Sequence, residues 1–130
     1  MAKLAKIVIM LIRVLSLAAI IFGVMIWLGT FPQLLASHMA FGFLIAIMLA
    51  VLAVIALVKR AFALGLLGLC AAVLLPVIGL RQFPLAFRHL GTIQVSHLIV
   101  VFAALGIAES TYQAIRKADT KTKAAGTPAA

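Results

Sequence analysis

Four long apolar runs, separated by short stretches that hold most of the polar and turn-forming residues, set the pattern of this chain. The first runs from about Ile7 to Leu28 and is interrupted only by Arg13. As a helix of about 22 residues it would be roughly 33 Å long, enough to cross the hydrocarbon core of a bilayer. It begins after Lys3 and Lys6 as a signal peptide would, but a signal peptide's apolar region is only about 7–15 residues, so the run is read as a retained transmembrane helix. Arg13 lies about one turn inside the basic end, where its long stem can snorkel to the headgroups.

Gly29 should end this helix and Pro32 should restrict the turn after it. Ser37 then serves as the expected N-cap of a second helix, 38–58, which Lys59 and Arg60 stop. A third helix, 61–80, follows almost at once, so the two form a tight antiparallel hairpin; Pro76 removes one backbone donor and is placed to kink it. The connection from Arg81 to Gly91 holds Pro84, Arg88 and His89. The fourth helix is predicted over 92–117, and residues 118–130 read as a disordered basic tail. The expected fold is therefore all-α, one domain of four transmembrane helices over residues 1–117.

Composition agrees. Of 130 residues, 67% are hydrophobic and 10% charged, well outside the range of soluble domains. The net charge of +9 does not indicate nucleic acid, because the charges cluster at the ends of the apolar runs, as topology determinants do. Lys3, Lys6, Arg13, Lys59, Arg60, Arg116, Lys117, Lys121 and Lys123 fall on one side of a four-crossing arrangement, and only Arg81 and Arg88 on the other. That bias puts both termini in the cytoplasm; the expected location is the cell's inner membrane. Cys70 is alone in the third run and reads as a small buried hydrophobe. With only Glu109 and Asp119 as acids, paired-carboxylate chemistry within the helices and a carboxylate-rich metal cage are excluded. No nucleophile–base–orienter set, phosphate loop or CxxC pair is present.

What remains is a pair of histidines. Leu28-Gly29-Thr30 precedes Ser37-His38, and Leu90-Gly91-Thr92 precedes Ser96-His97, which points to two helix hairpins related by an internal repeat. The second and fourth helices run in the same direction, so His38 and His97 lie at similar depth near the outer surface, where they can face each other across the bundle. Two neutral imidazoles so placed suit the axial positions of a haem iron. Small residues follow each histidine at helical spacing: Gly42 and Ala46 after His38, Ala104 and Ala108 after His97. Arg81 and Arg88 are placed to neutralise propionates at the same surface, and Ser37, Ser96 or a backbone carbonyl to hold the second imidazole nitrogen.

On four helices, histidines on two of them, and a glycine near a ligand in His38-Met39-Ala40-Phe41-Gly42, the chain resembles small four-helix membrane cytochromes of the b561-like type. The resemblance covers about Ile7 to Tyr112 and implies haem b, electron transfer, and a quinone or redox protein as partner. It departs in one respect. Such proteins often carry two haems, whereas this chain has histidines for one, near the outer surface.

Other readings stand beside it. The histidines can be structural interface residues, the small residues ordinary helix-packing positions. The third helix carries such a stripe, Gly65, Gly68, Ala72 and Gly79, with no histidine expected near it. His89 would add a third ligand for a copper or zinc site. Glu109, expected near the cytoplasmic end, reads as half of an interfacial ion pair with Arg13 or Arg60 rather than as the acid of a proton-coupled exporter. The alternative function is a non-catalytic accessory or scaffold subunit, in a homo-oligomer or a larger membrane complex.

Overall fold

The computed structural model describes residues 1–85 and 90–125. Four helices make up the bundle: α1 (Ala2–Trp27), α2 (Leu35–Val58), α3 (Phe62–Leu85) and α4 (Leu90–Ala125). Four helical stretches are long and apolar enough to cross a membrane: Lys3–Trp27, Pro32–Val58, which ends with α2, Phe62–Arg81 and Gln94–Lys121. In the most apolar 18 residues of each stretch, between 22% and 39% of the residues are buried within the chain, so most side chains there keep some surface facing outward, as helices solvated by lipid would.

The helix ends show why the chain turns where it does. After α1, Gly29 takes a left-handed φ of 71°. Its N–H bonds Ile26 O, and the Thr30 N–H bonds Met25 O, a paired arrangement that satisfies the last carbonyls. The same pattern closes α2: Ala61 N–H reaches Ala56 O, Arg60 N–H reaches Leu57 O, and Arg60 takes φ 62°. Here a residue with a side chain occupies the position that usually favours glycine. A short 3-10 turn, Pro32–Leu34, leads into α2.

Three expected boundaries are revised. The cap of α2 is Leu34, without a side-chain hydrogen bond, and Ser37 is an exposed residue within the helix; the 3-10 turn supplies the entry that a serine cap was expected to give. α3 continues through Pro76 and Pro84 to Leu85, so most of the expected second connection is helical. α4 extends to Ala125, with Lys and Ala at six of the nine positions of Lys117–Ala125 favouring helix, beyond the expected end at Lys117. The two Leu-Gly-Thr triplets also differ in role, since Leu28–Thr30 closes a helix and Leu90–Thr92 opens one.

α1 packs on α2 and α4, and α3 packs on α2 and α4, with α2 and α4 touching across the short diagonal. Among the described residues α1 and α3 do not meet. The core is built from Ile9 and Ile12 of α1, Leu49 and Leu52 of α2, Leu75 of α3, and Ala104, Ala108 and Ile115 of α4. The α2–α3 seam is the tightest. A Cβ on Gly65 would lie 2.5 Å from Leu57 Cδ2, and one on Gly68 would lie 2.9 Å from Ala53 Cβ, so these glycines let the two backbones approach closely. Cys70 is exposed on the outer face of α3, not buried as expected; its neighbours Ala71 and Ala72 take the inward positions.

Candidate functional site

His38 stands in the first turn of α2, and His97 in the second turn of α4. Because α2 and α4 are parallel, the bundle brings the rings to a centroid separation of 6.3 Å, with planes crossing at 62°. The expectation that they face each other at one level is met. At the opposite end of the same two helices, Lys59 forms an ion pair with Asp119, which fixes their common direction and register.

The surroundings of each ring differ from those expected. His38 Nδ1 lies 2.8 Å from the backbone oxygen of Ala19 in α1. A carbonyl only accepts, so Nδ1 is the donor, and in the neutral ring Nε2 is then the lone-pair nitrogen. Ser37 is exposed, and the Ser96 hydroxyl donates to Thr92 O in its own helix at 2.8 Å. Neither serine holds an imidazole; a backbone carbonyl holds that of His38. Gly23 makes this approach feasible, since a Cβ there would meet His38 Cε1 at 3.0 Å.

His97 is half-buried, and its Nδ1 has no hydrogen-bond partner. A Cβ on Gly79 would lie 3.5 Å from His97 Cε1, so the α3 stripe does run to a histidine. Nothing in the sequence marks Gly23, Ala19 or Gly79 specifically as site residues. The one available signal was a lone glycine within an apolar run, and the histidine each glycine meets is distant in sequence.

Of the other expected site residues, Gly42 is half-buried, and a Cβ built on it would meet nothing within 4 Å. Ala46 and Ala104 are buried in the bundle, as is Ala108. Arg81 is exposed on α3, two residues beyond Gly79. Arg88 lies outside the described residues, as does His89, on which the three-histidine copper or zinc site depended. Among the described residues no group of three or more His, Cys, Asp or Glu side chains could hold a metal ion.

A second polar feature lies well away from the histidines. Arg13 Nη2 donates to Glu109 Oε2 at 2.6 Å, joining α1 to α4, and Gln113 Nε2 donates to the other carboxylate oxygen at 3.0 Å. The pairing with Arg13 agrees with the sequence, but its position does not. Glu109 is twelve residues after His97 and ten before Asp119, about 18 and 15 Å of helix respectively. With α4 continuing to Ala125, the pair stands midway along the bundle instead of at its end. Beside it a groove of about 350 Å³ opens between α1 and α4, lined in part by Ile9, Ser16, Leu17 and Leu105. The Ser16 hydroxyl is buried and without a partner.

No family model matches this chain, and no curated protein or solved structure shows significant similarity to it.

Proposed function

We propose that this chain is an integral membrane electron-transfer protein that binds one haem b between His38 and His97. Both termini lie in the cytoplasm, and the haem lies near the outer surface of the cell's inner membrane. The observation that carries the reading is the ring separation of 6.3 Å. Two imidazole rings at that separation would be close enough for one metal ion between them to be held by a nitrogen of each.

The Ala19 carbonyl supports the same role. A ligating histidine commonly donates its other N–H to a carbonyl, which fixes the tautomer and raises the basicity of the ligand nitrogen. Gly42 leaves open space one turn along α2 from His38, and Arg81, with Arg88, supplies positive charge for propionates. When bound, the haem supplies a one-electron couple; this chain's residues hold it, orient it and limit water around it. A lipid-soluble quinone or a redox protein is the exchange partner. The orientation rests on the excess of Lys and Arg toward the end that carries Lys59 and both termini.

The test is the reduced-minus-oxidised spectrum of protein purified from haem-replete cells, with extractable haem measured per chain. A low-spin b-type spectrum at one haem per chain is expected. His38→Ala and His97→Ala should each abolish it while leaving a folded helical protein. A colourless wild-type protein, or unchanged spectra in both variants, would overturn the assignment.

The accessory-subunit reading draws on a different observation, the exposed polar seam at Arg13 and Glu109. It expects wild-type behaviour from the double variant His38→Ala plus His97→Ala.

A further inference from the structure

Charged and hydrogen-bonding groups in the middle of a membrane span are costly unless protein covers them. In this bundle they are not covered. The Arg13 and Glu109 side chains are 50% and 41% exposed, Gln113 is exposed beside them, and all three face outward from the α1–α4 seam. The salt bridge neutralises the net charge but leaves most of the guanidinium N–H donors outside it.

The helix face next to this network has a second property. Ala103, Gly106 and Ser110 are all exposed on α4 at spacings of three and four residues, and a Cβ on Gly106 would meet nothing within 4 Å. Glycines at the α2–α3 seam have a close neighbour; Gly106 has none. Small residues at this spacing let a second helix approach closely, and nearby polar groups then bond across the contact. The adjoining groove adds a third element, the buried, unpartnered hydroxyl of Ser16.

We infer that the α1–α4 face is a dimerisation surface whose occupant is a second copy of this chain. The patch carries one positive and one negative group at nearly one depth, and a second copy presents both signs at that same depth. A twofold axis along the membrane normal brings an identical patch to it, with Arg13 of each copy near Glu109 of the other and the two Gly106–Ser110 stripes in contact. The inference rests on the membrane reading of the fold and is independent of haem binding.

Single cysteines in a Cys70→Ala background test it in native membranes under mild oxidation. Gly106→Cys and Ser110→Cys should form disulfide-linked dimers of twice the chain mass. Val54→Cys on α2 and Val73→Cys on α3, both exposed on other faces, should remain monomeric. In mild detergent the wild-type mass should be that of a dimer, and Gly106→Ile, whose added Cβ meets nothing within 4 Å in its own bundle, should convert it to a folded monomer. Equal cross-linking at all four positions, cross-links only to a species of another mass, or a dimer indifferent to Gly106→Ile would overturn the inference. Haem content, measured on the same samples, reports separately on His38 and His97.

Discussion

The α2–α3 seam and the α1–α4 seam solve the same packing problem by opposite means. At the first, Gly65 and Gly68 remove side chains so that backbone meets side chain closely, with Leu57 and Ala53 filling the space. At the second, the helices are joined by the long side chains of Arg13 and Glu109, and a groove remains beside them. In lipid, dispersion contacts and interhelical hydrogen bonds replace the hydrophobic effect as the source of helix association. The glycine seam uses the first and the ionic seam the second. A tight seam is complete within one chain, whereas a seam built on exposed polar groups calls for further cover.

The contrast is broken most strongly by filling the tight seam. Gly68→Leu places a side chain where Ala53 Cβ would already be 2.9 Å from the new Cβ; overpacking of this kind costs about 1–3 kcal/mol. Reversible unfolding in mixed micelles should show it, and a Gly106→Leu control should leave the stability of the single chain unchanged. A double-mutant cycle on Arg13→Ala and Glu109→Ala sharpens the other side. Interhelical polar couplings in membranes average about 0.6 kcal/mol, with a maximum of about 1.7, and the half-exposed pair belongs in that range. A coupling near zero would remove the ionic seam from the comparison. The smallest effect is expected at the turn that joins α2 to α3. Arg60→Gly relieves a left-handed conformation worth about 1–2 kcal/mol per residue, offset in part by the entropy glycine adds to the unfolded chain. The net gain should be below about 1 kcal/mol.

The fold was largely legible in the sequence because apolar runs of membrane length leave few alternatives. Gly29, with its left-handed turn, and the Lys59–Arg60 stop were recognisable on local chemistry alone. Helix ends were less so. Leu34 caps α2 in place of Ser37 because a 3-10 turn precedes it, and alanine-rich polar residues carry α4 past Lys117. The pairing of His38 with His97 followed from counting crossings, but their immediate environment did not. Ala19, Gly23 and Gly79 contribute backbone or empty space to the rings, and neither has a sequence signature until the helices are packed. The depth of Glu109 is illegible for a related reason: it depends on where α4 ends, and the polar residues from Lys117 onward carry no apolar periodicity.

The bond from His38 to Ala19 has a consequence for tolerance to change. Its acceptor is a main-chain oxygen, which every residue type possesses, so no substitution at position 19 deletes it. A carbonyl has two lone pairs, and this one lies four residues before Gly23, where the α1 ladder already uses it. The ring's orientation is therefore indifferent to most of the α1 sequence. It is vulnerable at Gly23, where any side chain would start 3.0 Å from the imidazole. Drift among homologues of this chain should spare that one position on α1 while the side chains around it turn over freely, a pattern that comparison of related sequences would expose.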